Sequence, residues 1–136
     1  MARHLLAGIT LILLMVSVVS AATPSPVGAF TVVQYQGMNL KATYTEPTTN
    51  ADGSKLTDLA GIAFYYDKAG TETLIFIAPA SAPTGGASLV SAFPVPQGAT
   101  GSIKVWAKAQ DIAGNLSAAG PSITVTFDTM APAPPQ

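Results

Sequence analysis

The 136-residue chain contains no cysteine, and its single histidine is His4, in the first few residues. A domain without disulfides must be held together by its hydrophobic core, which a chain of this length permits. After His4 the chain lacks the imidazole and thiol groups that bind transition metals and drive nucleophilic catalysis. We therefore predict a protein that is not an enzyme and that has no cofactor and no metal.

Charged residues are also scarce, at 10% of the chain. The part after residue 22 holds five lysines and seven acidic residues, which gives a net charge of −2. Such a chain offers no basic surface that would attract nucleic acid or anionic lipid. We expect no nucleic-acid partner.

Residues 1–22 follow the pattern of a secretory signal peptide. Arg3 and His4 precede an apolar run over 5–19, and small residues suited to cleavage after Ala21 or Ala22 follow it. The alternative is a retained membrane anchor, but that run has 15 residues and a membrane-spanning helix needs about 20. We expect cleavage, a secreted or periplasmic location, and no stable membrane insertion afterwards.

The rest of the chain shows no helical periodicity and reads as one all-β domain over 23–128. Short runs rich in Val, Ile, Thr, Phe and Tyr alternate with Gly, Pro, Asn and Asp clusters, which is typical of a β-sandwich or barrel. The Pro-rich end, 129–136, is predicted to be an extended linker-like tail. The predicted strands cover 28–34, 38–45, 61–67, 73–78, 87–95, 101–110 and 121–128.

Alternation is clearest in the last two predicted strands, where one face is apolar, as a half-buried antiparallel strand requires. The residues predicted to face inward are Ile103, Val105, Ala107, Ala109, Ile123, Val125 and Phe127. The residues predicted to face outward are Lys104, Trp106, Lys108, Gln110, Thr124 and Thr126. Pro94 and Pro96 end the fifth run, and proline cannot donate to a ladder, so we place that strand at a sheet edge.

Two stretches carry a family resemblance, "YTEPTTNADGSKLTDLAGIAFYY" (44–66) and "AKAQDIAGNLSAAGPSITVTFDTMAPAPP" (107–135). The first resembles the second strand, loop and third strand of bacterial fibronectin type III domains. The second resembles the end of those domains and of related bacterial immunoglobulin-like domains. The resemblance implies a seven-stranded antiparallel immunoglobulin-like/fibronectin type III β-sandwich, with strands C and F adjacent in one sheet.

Two positions depart from that family. Tyr44 stands where such domains usually carry a core tryptophan. Ile103 stands where they usually carry the tyrosine whose hydroxyl ties back to the backbone. We expect that hydrogen bond to be absent or replaced.

The polar residues of the loops are of the types that form turns. Asp52-Gly53 is predicted to form a turn rather than a carboxylate pair with Asp58 for acid/base work or Ca²⁺ binding, because Asp accepts local backbone bonds and Gly supplies a positive φ. The set Asp111, Gly114 and Asn115 is read in the same way. Gly85-Gly86 lacks the Lys-Ser/Thr and helix of a phosphate loop and is predicted to be a flexible inter-strand loop.

A candidate interaction surface comprises Tyr65, Trp106, Lys104 and Lys108. If strands C and F are neighbours, Tyr65 and Trp106 point outward together, between lysines. One interpretation is a recognition patch for a protein edge or a sugar ring, since exposed Trp and Tyr often anchor interfaces. The other is a cross-strand pair that only stabilises the sheet, with cation–π support.

From these observations we expect an exported, non-catalytic module for protein–protein or cell-surface/carbohydrate interaction, whose partner is an unknown protein or polysaccharide. The alternative is a structural subunit or spacer of a larger extracellular or periplasmic assembly, because an Asp-Thr-x-Ala-Pro end usually joins tandem domains. A carboxylate-only hydrolase is a third interpretation, and it lacks most of the usual catalytic groups.

Overall fold

The protein is a two-layer antiparallel β-sandwich in a computed structural model that describes residues 22–128 and 135–136. All seven predicted strands are present, and no boundary moves by more than three residues. The strands are β1 (Thr31–Tyr35), β2 (Asn39–Thr45), β3 (Leu59–Lys68), β4 (Thr71–Pro79), β5 (Ser88–Pro94), β6 (Ser102–Asp111) and β7 (Ile123–Thr126).

The largest shift, at the start of β1, has a local cause. Residues 23–25 bond to the loop before β3 instead of continuing the β1 ladder. The Ser25 N–H donates to the Thr49 carbonyl, and the Ala51 N–H donates to the Thr23 carbonyl. Regular pairing with β2 therefore begins only at Thr31.

One sheet has the order β1-β2-β5 and the other β4-β3-β6-β7, with every pairing antiparallel. The chain crosses between sheets, so that β2 pairs with β5 and β3 with β6. The edge position predicted for the fifth strand is confirmed, and Pro94 ends it opposite Asn39.

The core lies between the sheets and centres on Phe64, which is fully buried. Its ring centroid lies 5.3 Å from that of Tyr44, 5.2 Å from Phe93 and 6.3 Å from Phe30. The inward prediction for the last two strands is confirmed for six of seven residues, because Ile123 is only partly buried. Alternation of apolar and polar residues thus placed the core face correctly.

Tyr44 and Ile103, the two departures from the family pattern, are both buried. The Tyr44 ring packs edge-on against Phe64, and its hydroxyl lies 3.0 Å from Ser91 Oγ. Burial raises the pKa of this phenol, which keeps it neutral and able to donate. Ile103 joins the apolar core, so the hydroxyl tie expected of a tyrosine there is absent from this position.

Two predictions concern segments outside the described residues. They are the signal peptide, of which only residue 22 is described, and most of the tail, of which only 135–136 are described. Within the described ranges, no helix has the length and apolar character needed to cross a membrane.

Candidate functional site

The predicted aromatic pair is present on the outer face of the four-stranded sheet. Tyr65 in β3 lies directly opposite Trp106 in β6. Both side chains are partly buried, and their inward neighbours Phe64 and Val105 are fully buried. The period of two in each strand predicted the facing, and the adjacency of strands C and F that the family resemblance implies predicted the pairing.

Glu72, at the start of β4, joins this pair to a lysine. Trp106 Nε1 donates to Glu72 Oε2 at 2.7 Å, and Lys108 Nζ donates to Glu72 Oε1 at 2.7 Å. Lys108 Nζ also lies 5.2 Å from the centroid of the Tyr65 ring. The carboxylate on β4 thus reaches two side chains on β6 across the intervening β3, and it fixes the orientation of the indole.

The predicted lysines do not behave alike. Lys108 belongs to the cluster formed with Tyr65, Glu72 and Trp106. Lys104 is exposed and lies opposite Thr124 on β7. Among the described residues Lys104 makes no ion pair, since the one found there joins Lys108 and Glu72. Tyr65, Trp106 and Lys108 therefore form one unit, and Lys104 lies outside it.

Sequence reasoning did not single out Glu72. It lies 34 residues from Trp106, and its position depends on an irregularity in β4. The available signal was a lone acid beside a predicted strand, in a sheet whose outward lysines lie two strands away on β6, and such a signal is too common to select it.

The hydrogen bond from Lys108 lowers the pKa of the Glu72 carboxyl below its ordinary value, desolvation partly opposes it, and the hydrogen bond from Trp106 lowers the pKa further. A carboxyl whose pKa falls on folding adds stability above its unfolded pKa. It loses that contribution as the pH falls through the folded pKa. The carboxyl is well exposed, so the effect on global stability is small.

Trp106 is the chain's sole tryptophan, so its fluorescence reports this cluster directly. On acidification we expect an emission change with a midpoint below the ordinary glutamate pKa, and Glu72→Gln should remove it. Asp52→Asn is the matched control, because that exposed carboxyl also has a lowered pKa but belongs to a separate turn. A transition that persists in Glu72→Gln would contradict the assignment.

Two exposed aliphatic side chains of β4 extend the aromatic pair. Leu74 lies opposite Tyr65 and is 47% exposed, and Ile77 lies opposite Ala63 and is 41% exposed. With Tyr65 and Trp106, these two side chains form an apolar surface, which we call the outer patch (Tyr65, Leu74, Ile77 and Trp106). The ion pair of Glu72 and Lys108 lies beside this patch and forms its polar border.

The turn prediction for Asp52-Gly53 is confirmed. Asp52 Oδ1 accepts the N–H of Ser54 at 2.9 Å and its hydroxyl at 2.6 Å, and Gly53 has φ of 85°. These bonds, the hydroxyl bond first, lower the pKa of Asp52. In the described part of the chain no three acidic or histidine side chains form a group that could hold a metal ion.

The turn after β6 is also confirmed. The Asp111 carboxylate, almost fully buried, accepts the Asn115 N–H through Oδ1 and the Asn115 amide through Oδ2, both at 2.8 Å. The Gly114 N–H donates to the Asp111 carbonyl, with φ of 90° at Gly114. This acid therefore holds a turn together.

A second buried carboxylate, Glu46, holds the loop between β4 and β5. It accepts the Ser81 N–H at 2.7 Å, the Ser81 hydroxyl, and the Ala87 N–H at 3.3 Å. Gly85 in the same loop packs so closely that an added Cβ would lie 2.1 Å from the Pro47 carbonyl oxygen. Gly85 thus lies in an inter-strand loop, as predicted, and it permits a close approach of two backbones that the sequence did not indicate.

No protein-family model matches the chain, and no curated protein matches it. Among solved structures, the "PKD domain of M14-like peptidase from Thermoplasmatales archaeon SCGC AB-540-F20" is similar at 21% identity and a TM-score of 0.40. The match covers 77% of this chain and 98% of that one. By its own strand order and pairing, the chain is an all-β, immunoglobulin-like sandwich.

Proposed function

We propose that this chain is an exported, non-catalytic recognition module that binds a partner protein through the outer patch. The observation that carries the proposal is the held indole of Trp106, which the Glu72 carboxylate positions beside Tyr65 on an open sheet face. A side chain already fixed in one orientation loses less conformational freedom on binding than a mobile one. Aromatic anchors of this kind are enriched at the energetic centres of protein interfaces.

A protein fits the patch better than a polysaccharide. Leu74 and Ile77 extend the aromatic pair with aliphatic surface, which contributes to binding by losing water. A sugar ring also needs hydrogen-bonding groups beside the stacking ring. Here the indole N–H and the Glu72 carboxylate already bond to each other.

The non-catalytic part of the proposal rests on how three of the acidic residues are used. Asp52 and Asp111 bond to backbone N–H groups of their own turns, and Glu46 bonds to the backbone of the loop before β5. A general acid or base needs a carboxylate that faces a substrate. These three instead stabilise loops.

We further assign the sandwich to the fibronectin type III type. The separation into a β1-β2-β5 sheet and a β4-β3-β6-β7 sheet supports this narrower family. The two sequence stretches that resemble bacterial members, 44–66 and 107–135, support it as well. Export rests on the signal-like segment 1–22.

Replacing Trp106 with alanine is expected to weaken partner binding about tenfold, the change that corresponds to about 1.4 kcal/mol. The protein is collected outside the cytoplasm after expression of the full coding sequence, and its N-terminus is expected at Ala22 or Thr23. Surface-protein extract and cell-wall polysaccharide of the producing organism are then offered separately to the wild type and to Trp106→Ala. Binding is measured by interferometry.

Val33→Ala is the matched control, because Val33 is an exposed aliphatic residue on the other sheet. Equal capture of the same protein by Trp106→Ala and wild type would overturn the proposal. Binding to polysaccharide alone would show that the partner is a polysaccharide and not a protein. Absence of any Trp106-dependent ligand would instead favour the structural subunit or spacer.

A further inference from the structure

The strand β4 forms one edge of the four-stranded sheet. It is the terminal strand and pairs only with β3. Its nine residues include the uncharged run "TLIFIA" (73–78), which has high β-propensity and no proline. A free edge of this kind presents unpaired backbone groups that favour the addition of another strand.

The other edge strands of the described sandwich are less suited to such pairing. β1 has five residues, β7 has four and β5 has seven, so all three are shorter than β4, which has nine. On β4 the single charge, Glu72, stands near one end, and Pro79 stands at the other. The centre of the strand carries no residue that blocks strand addition.

A β-bulge gives the two halves of β4 the same pattern of inward-facing and exposed residues, counted outward from its centre. Pairing with β3 shifts at Phe64 and Tyr65, where Phe76 and Leu74 are the partners and Ile75 is the extra residue. Ile75 and Phe76 consequently both pack against the core, although they are consecutive. Outward from this centre, Leu74 and Ile77 are exposed, Thr73 and Ala78 face inward, and Glu72 and Pro79 are exposed.

The pattern of inward-facing and exposed residues is therefore the same in both directions from the centre of β4. Such a pattern is compatible with a two-fold axis between Ile75 and Phe76. Directly opposite residues of an antiparallel pair must lie on the same face of the sheet. About that axis Leu74 meets Ile77 of a second copy on the outer face, and Ile75 meets Phe76 on the inner face. A shift of one residue in either direction sets Leu74 and Ile77 against inward-facing residues.

We propose that a second copy of this chain adds its β4 to this edge, antiparallel, with Leu74 opposite Ile77 of the other copy. A two-fold interface of this kind uses one surface twice, which a self-complementary strand permits. The two four-stranded sheets then form one continuous sheet, and their outer patches adjoin. Antiparallel pairing sets Glu72 near Pro79 of the second copy, whereas parallel pairing in register would set Glu72 against Glu72.

The first test measures oligomeric state by sedimentation equilibrium of the exported protein. The wild type is expected to show twice the monomer mass at high concentration. Ile77→Lys should be a monomer, since a lysine on an edge opposes strand addition. Val90→Lys is the matched control and should remain a dimer, because Val90 is an exposed aliphatic residue on the β5 edge of the other sheet.

The second test fixes the register and uses the absence of native cysteine. Copies carrying Leu74→Cys are mixed with copies carrying Ile77→Cys under mild oxidation. The mixture should cross-link at least fivefold more than either variant alone, because opposite Cβ atoms approach to disulfide range. Near-UV circular dichroism checks that each variant is folded.

A wild type that stays monomeric at all concentrations would overturn the inference. A dimer that Ile77→Lys leaves intact, or cross-linking that is strongest within one variant, would do so too. The recognition role is tested separately, by comparing partner binding of the wild type with that of Trp106→Ala, because Trp106 lies on β6 and takes no part in the proposed contact between β4 strands. A failure of either proposal therefore leaves the other measurable.

Discussion

The Phe64→Ala variant is expected to lose about 3–5 kcal/mol of unfolding free energy, the range for removing a buried phenylalanine. Phe64 is fully buried on β3, and the rings of Phe30, Tyr44 and Phe93 surround it. Alanine there leaves a cavity between two sheets whose backbones are fixed by their ladders, so the neighbouring rings relax only partly.

This loss is large against a total stability of about 5–15 kcal/mol for a domain of ordinary stability. No disulfide compensates for it, because the chain has no cysteine. Urea unfolding followed by Trp106 fluorescence measures the change. Val90→Ala, on an exposed strand position, is the control and should cost less than about 1 kcal/mol. A Phe64→Ala loss as small as that of the control would contradict a core centred on this ring.

The sequence was informative wherever one face of a strand is apolar. The inward residues Val105 and Ala107 alternate with Trp106 and Lys108, and the structure has both sets on the predicted faces. Because a period of two fixes facing, the pairing of Tyr65 with Trp106 followed once β3 and β6 were taken as neighbours. Local patterns thus placed the core, and they placed the aromatic pair only together with the strand adjacency that the family resemblance implies.

The features that local patterns missed depend on contacts between distant residues. Glu72 reaches Trp106 from a strand 34 residues earlier in the chain. The bulge at Ile75 has no glycine to mark it, since "LIFI" reads as a continuous buried run. The extra residue reverses the facing of half of β4, and it thereby creates the symmetric edge on which the proposed dimer depends.

Glu46 is the clearest case, because its sequence context suggests only a polar residue after an aromatic strand end. In the fold it is 2% exposed and accepts hydrogen bonds from the Ser81 and Ala87 backbones. It thereby spans the whole connection between β4 and β5. A loop that turns so near the core leaves its N–H groups away from water, so they need an acceptor supplied by another element.

Glu46→Ala is therefore expected to lower the free energy of unfolding by about 2–4 kcal/mol, given about 1.5–3 kcal/mol for each hydrogen bond to a charged group and partial replacement by water. Glu46→Gln keeps the volume and one acceptor oxygen, so its loss should be about half as large. Both values come from urea unfolding.

Amide hydrogen exchange then separates loss of these bonds from general destabilisation. The Ser81 and Ala87 N–H groups should lose protection in Glu46→Ala by more than the change in global stability explains, while ladder amides of β3 and β6 follow the global change. Unchanged protection at Ser81 and Ala87 would show that the carboxylate does not hold the loop. Selective loss there would establish that one buried acid, and no local propensity, sets the path of the chain from β4 in one sheet to β5 in the other.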